Sequence, residues 1–166
     1  MCVCARARVG GWALGFTAVQ VTVCDPLDPR LPRPRLSPAD WCPNATALRA
    51  AFEPLFNSPA TFVDANLAGH AHCYERMYAV RNGTLVTRSY ERMTTPLHLL
   101  VGSPGCEEGS TPWLPGPPPP WSAYRACEDV AFGFVKVDVA NATTMSISFL
   151  DSATGSVLDA VTLTKR

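Results

Sequence analysis

The chain has 166 residues, with 14 Lys and Arg against 14 Asp and Glu, a formal net charge of zero and a hydrophobic share of 47%. That length supports one domain with a real apolar core, and the missing basic surplus argues against a nucleic-acid or anionic-membrane partner. Of 16 prolines, 13 fall between Pro26 and Pro43 or between Pro104 and Pro120, so two stretches must be extended and non-repetitive.

Arg6 and Arg8 precede a mildly apolar run, Val9 to Val23, interrupted by Gly10, Gly11 and Gln20. It is too short and polar for a transmembrane helix and a poor secretory signal; we read it as sequence left from a longer protein. Residues 25–40 carry a proline every two to four positions, which forbids a helix or central strand. Residues 1–40 are therefore expected to be a poorly structured segment ending in a linker, with the folded domain over 41–166. Asn44 can cap a helix from Ala45 to Phe56, in which Leu48, Ala51, Phe52 and Leu55 make one apolar face; Asn57-Ser58-Pro59 ends it. Phe62 to Ala68 reads as a buried strand stopped by Gly69.

Segments 76–81 and 84–90 flank Asn82-Gly83, a strong hairpin signal. Leu97 to Val101 reads as another short buried strand, followed by a glycine-rich bend at 102–105. The run PWLPGPPPP at 112–120 is a loop, in part polyproline II, with Trp113 and Trp121 expected to pack on its prolines. Phe132 to Val139, Thr143 to Leu150 and Val157 to Thr164 each alternate. Val135, Val137 and Val139 share one face, as do Met145, Ile147 and Phe149. A three-stranded antiparallel meander is expected, in an α+β fold of the α/β sandwich type without internal repeats.

Seven cysteines (Cys2, Cys4, Cys24, Cys42, Cys73, Cys106, Cys127) follow no zinc-finger spacing. Cys106 could pair with Cys127 or with Cys42, and spacing does not choose; Cys73 reads as a small packing residue. Asn44, Asn82 and Asn141 each begin an N-x-Thr sequon, three of the five asparagines in the chain, which favours N-glycosylation in a secreted or lumenal setting where disulfides are permitted.

His70 and His72 follow an expected buried strand that stops at Gly69. Residues i and i+2 of an extended chain point the same way, so both imidazoles can reach one ion or two adjacent ions, and neutral imidazole suits zinc, iron and manganese. An isolated H-x-H is more often structural. His98, inside LHLL, reads as a satisfied buried or edge histidine, and Glu107 and Glu108 as solvated loop carboxylates.

The surroundings change that balance. Residues 69–76, GHAHCYER, closely resemble the GHxHxYER signature at the last metal-binding loop of purple acid phosphatases, which are calcineurin-like metallophosphoesterases. VGSPGCEEGSTPW resembles the family's glycine-rich bend, PWSAYR its Trp-Ser-Ala-x-Arg segment, and the stretch from Phe132 to Leu163 its terminal strands with a final Gly-x-Val-x-Asp hairpin. Gly105-Cys106-Glu107-Glu108 is closer to the animal-type branch. The resemblance spans roughly Cys42 to Leu163 and implies the C-terminal portion of a β-sandwich flanked by helices.

It also implies a binuclear centre of ferric iron with zinc, iron or manganese. His70 would ligate the divalent ion and His72 the iron. Paired ions clamp phosphate oxygens and activate a water, so the substrate would be a phosphate monoester. Tyr74, Glu75 and Arg76 are implied to pack and to support the ligands. The family's other ligand motifs, in D-x-G, GDxxY, GNH and a V-x-x-H-type loop, are missing from the 166 residues. Two imidazoles do not hold two ions, since each catalytic ion normally takes three or more protein ligands. The expectation is the C-terminal part of an acid phosphatase, inactive by itself; the competing one is a non-catalytic secreted glycoprotein module of the same descent.

Overall fold

A computed structural model describes residues 19–22, 45–58, 63–69, 71–102, 110, 113, 116–126 and 132–165. Alternation builds the C-terminal half. Strands β8 (Gly133–Asn141), β9 (Thr144–Asp151) and β10 (Val157–Thr164) pair antiparallel in the order β10-β9-β8. Met145, Ile147 and Phe149 point inward from β9 and are essentially inaccessible; Val161 and Leu163 join them from β10. Val135 and Val137 pack against this core, whereas Val139, expected on the same face, is 42% exposed. It lies near the distal end of β8, just before the turn, where the register with β9 shifts.

The second layer is a five-stranded sheet in the order β1-β2-β6-β3-β7. Its strands are β1 (Val19–Thr22), β2 (Ala65–Ala68), β3 (Tyr74–Met77), β6 (Leu97–Val101) and β7 (Ser122–Ala126). β1, β2 and β6 run parallel, and β3 is antiparallel to both β6 and β7. Side chains alternate across this sheet. Ala65, Tyr74, Leu97, Leu99 and Ala126 face the meander and complete its core, while Ala68, Cys73 and Leu100 cluster separately on the far side with Ala71 and Trp113. The fold is thus an α+β sandwich ending in the expected meander. Strands β1 and β7 went unrecognised in the sequence because four or five residues beside proline-rich runs give too little alternation to register.

Helix α1 (Ala45–Phe56) has the expected bounds, but its contact with the sheet differs from the expected face. Leu55 is 53% exposed and Phe56 only 3%. Phe56 stacks on Phe52 one turn back, with ring centroids 5.8 Å apart, and meets His98 of β6 at 6.2 Å. The helix therefore touches the sheet through the aromatic pair near its C-terminal end, and Ala51 and Leu55 turn to solvent. The hairpin of β4 (Ala79–Arg81) and β5 (Thr84–Thr87) turns at Asn82-Gly83, with φ of 48° and 70°; two consecutive left-handed residues suit the right-handed twist of paired strands.

The two layers are joined by charge as well as by apolar packing. Asp159 occupies an inward position of β10, in phase with Val161 and Leu163, and is 7% exposed. Arg76 of β3 grips it with both ends of the guanidinium fork, Nε to Oδ2 at 2.7 Å and Nη2 to Oδ1 at 2.8 Å. Tyr74 donates its hydroxyl to the same Oδ2 at 2.9 Å, and its ring lies flat on Phe149 at 4.0 Å. Removing one partner of a buried ion pair leaves the other uncompensated. Asp159→Leu should lower unfolding free energy in urea by about 3–5 kcal/mol, with Arg76→Met/Asp159→Leu losing clearly less than the sum of the singles.

Candidate functional site

The register places the ends of four strands at one edge. Ala68 closes β2 opposite Leu100, Tyr74 opens β3 opposite Val101, and Tyr74 also lies opposite Ala126, the end of β7. Gly69 and residues 71–73 therefore emerge beyond the carboxyl ends of the parallel strands, the edge where open α/β sheets carry their ligand sites. The loop is held tightly. Cys73 N donates to Ala71 O at 2.8 Å, and Gly102 N donates to Cys73 O at 3.0 Å. A Cβ on Gly102 would fall 1.7 Å from Ala71 O, so only glycine lets β6 approach the loop so closely.

Of the expected ligand pair, His72 is half-buried on this loop, and His70 lies outside the described residues. Cys73 is 1% exposed and packs with Ala68 and Leu100, as expected of a small packing residue; it is also disulfide-bonded. Both cysteine pairings left open by the sequence, Cys106 with Cys127 and Cys42 with Cys106, fall outside the described residues, as do Glu107, Glu108 and Asn44. Asn82 and Asn141 are exposed at hairpin turns. Asn141 Oδ1 accepts from both the backbone N–H and the hydroxyl of Thr143, at 2.9 and 3.0 Å.

Tyr74, Glu75 and Arg76 are distributed over both faces. Tyr74 and Arg76 turn toward the meander and Asp159. Burial and the adjacent Asp159 carboxylate push the Tyr74 hydroxyl well above its ordinary pKa. Arg76 also donates to the Tyr90 hydroxyl and stays firmly protonated: burial works against its charge, but the bond to Asp159 more than compensates. Tyr90 is pushed up to about 12 by burial, against the lowering influence of Arg76. Glu75, fully buried, turns the other way and accepts from Arg125 Nε of β7 at 2.8 Å. Arg125 in turn lies 4.4 Å over the Trp113 ring, so Trp113 packs on a cation and on the Cys73 cluster rather than serving only the prolines. Among the described residues, Glu75 Oε2 and Arg125 Nη2 have no hydrogen-bond partner.

Sequence reasoning missed Asp159, Arg125 and Asn66 as partners. A carboxylate in phase with Val161 and Leu163 was the available signal, because an inward charge demands a partner. Asn66 Nδ2 lies 3.3 Å from His98 Nδ1, with both side chains buried. Burial lowers the His98 pKa from 6.5 to about 3, so the ring stays neutral, as expected of a satisfied interior histidine.

Among the described residues, no three His, Cys, Asp or Glu side chains converge on a common point. Cys73 is withdrawn as a thiolate donor by its disulfide. The described side chains thus do not fit a binuclear metal centre unaided. No helix among them is long and apolar enough to cross a membrane.

Residues 95–160 match the family described as iron/zinc purple acid phosphatase-like protein C. The family is that of the purple acid phosphatases, matched in its C-terminal portion. Acid phosphatase type 7 of Mus musculus is 36% identical over 104 residues, which are 60% of this chain and 23% of that protein. Purple acid phosphatase 1 of Ipomoea batatas is 31% identical, over 70% of this chain and 25% of its own length. The chain therefore spans about a quarter of these relatives. The solved purple acid phosphatase from yellow lupin seeds shares the fold at a TM-score of 0.61 and 22% identity, covering 69% of this chain and 19% of that one. The family match begins downstream of His70 and His72 and includes His98, Arg125 and Asp159.

His98 sets a pH dependence. Its folded pKa lies below the unfolded value, so the unfolded chain takes up the proton first, and stability is lost as pH falls below ~6.5 and on toward ~3. Between pH 8 and pH 5 this amounts to about 2 kcal/mol, at ~1.36 kcal/mol per pH unit. Urea midpoints should fall over that range in the parent chain and change much less in His98→Gln.

Proposed function

We propose that this chain is the C-terminal part of a binuclear acid phosphatase acting on phosphate monoesters, and that it contributes His70 and His72 to a centre whose other ligands come from outside it. The observation that carries this is the position of the GHAHCYER loop, at the carboxyl edge of the parallel strands in a sheet of purple acid phosphatase type. The centre would hold iron with zinc or manganese, whose chemistry is to polarise the phosphoryl oxygens and activate water. The chain's own residues set the frame. Arg76 and Tyr74 anchor β3 to the meander, Glu75 and Arg125 tie it to β7, and Gly102 admits the loop backbone. These contacts hold the start of β3 where His72 must present its ring.

The isolated chain would be inactive, because the family's other ligand motifs are missing from the 166 residues. A secreted or lumenal setting is supported by the disulfide at Cys73 and by the exposed sequon asparagines Asn82 and Asn141. Residues 41–166 would form the folded domain, with strand β1 (Val19–Thr22) of the leading segment added to the edge of its sheet. The shortage of converging ligands also favours the second reading, a non-catalytic glycoprotein module of this family.

The two part on one experiment. A longer protein that joins this sequence to the GDxxY and GNH motifs should hydrolyse p-nitrophenyl phosphate at acidic pH, and His72→Ala or His70→Ala should cut kcat/KM by at least ~100-fold, more than the 10–100-fold typical of a supporting residue. Activity indifferent to both substitutions would remove the ligand role and leave the module reading. Turnover by the 166-residue chain alone, with iron retained, would contradict both.

A further inference from the structure

We propose that β8 is a self-pairing edge. Two copies of this chain join antiparallel through it, about a two-fold axis at Val137, so that two three-stranded meanders become one sheet. The inference is independent of the phosphatase reading. β8 is the outer strand of the meander, and among the described residues only β9 pairs with it. A strand edge left open is a template for another strand. Here Phe134 is 49% and Val139 42% exposed, and the side chains of Lys136 and Asp138 are 59% and 55% exposed.

Two backbone bonds tell which groups of β8 face outward. Ser152 N donates to Phe132 O, in the same register that sets Phe134 opposite Leu150 and Lys136 opposite Ser148. Residues of an antiparallel ladder turn their backbone groups alternately toward the partner and away from it. Phe134, Lys136 and Asp138 therefore bond to β9, and Val135, Val137 and Val139 turn their N–H and C=O groups to the open side. On the far side of β9, Lys165 N donates to Thr143 O, so Met145 and Ile147 serve β10 and leave Ser146 and Ser148 to β8. The two bonds agree.

That phase, together with the charges, selects one register. Pairing Val137 with Val137 of the second copy sets Val135 opposite its Val139, so outward-facing residues meet and exchange hydrogen bonds. Lys136 then lies opposite Asp138 of the second copy, and Asp138 opposite its Lys136. These are non-hydrogen-bonded positions, where opposed Cα atoms lie about 4.5 Å apart and side chains come closest, and opposite charges across a ladder attract. The neighbouring registers that keep the ladder in phase set Lys136 against Lys136 or Asp138 against Asp138, which repel. An edge lysine ordinarily discourages pairing; Asp138 offsets it in this one register. Within one chain Lys136 and Asp138 bond each other at 2.9 Å, and pairing places a second partner within reach of each. Val139, exposed in the single chain, gains a cover in Val135 of the second copy. A patch that serves both sides of its own interface closes at two subunits.

Sedimentation velocity on the 166-residue chain, freed of any N-glycan and with free thiols alkylated, tests this. A monomer–dimer equilibrium is expected at micromolar concentration. Asp138→Lys and Lys136→Asp should each raise the dimer dissociation constant by at least ~10-fold. The double exchange Lys136→Asp/Asp138→Lys should bring it back to within ~3-fold of the parent's, because the two sites couple. Both side chains are more than half exposed, so all three variants should keep the parent's urea midpoint. A chain monomeric up to ~100 µM would overturn the proposal and leave the edge to another strand. So would a dimer indifferent to the single charge reversals, or a double exchange no better than they are.

Discussion

The fork of Arg76 closed on Asp159 is the contact on which the rest of this structure depends. It is a bidentate bond between a strand of one sheet and a strand of the other, made where both side chains are mostly removed from water. A charge pair in that position is costly unless its geometry is good and its remaining valences are met. Here Tyr74 and Tyr90 meet them, and the Tyr74 ring adds a stacked contact with Phe149. The arrangement fixes more than stability. Apolar side chains could pack the sheets in several offsets, whereas the fork accepts one, and that offset sets where β3 begins and where the loop before it must lie.

Two consecutive strand positions thus do different work. Arg76 reaches across the sandwich, and Glu75, pointing the opposite way, reaches along its own sheet to Arg125. With Gly102 pressed against Ala71, β3 is held from three directions immediately after the histidines. The YER of the signature is therefore scaffold.

Much of this was legible beforehand, for identifiable reasons. The meander was readable because three strands of eight or nine residues each repeat a period of two, and the hairpin because Asn82-Gly83 accepts two left-handed residues at low cost. The helix bounds were readable from Asn44 and Pro59, but its buried side was not: of the side chains described in α1, Phe56 at the C-terminal end meets the sheet, and Leu55 does not. Strand β7 was hidden because SAYRA mixes a cation and small residues in a short edge strand, and its logic appears only when Glu75 stands beside Arg125. The histidine pair drew attention as chemistry, while Asp159, the partner of Arg76 and Tyr74, looked like one more hairpin carboxylate.

The Arg76–Asp159 clamp, acting across the sandwich, should hold residues 71–73 in place. Hydrogen–deuterium exchange on the folded chain and on Asp159→Asn tests it most directly. Amides of residues 71–76 and of 158–161 should lose protection together in the variant, while the β4–β5 hairpin stays unchanged. Loop protection equal to the parent's, with loss confined to β10, would contradict it.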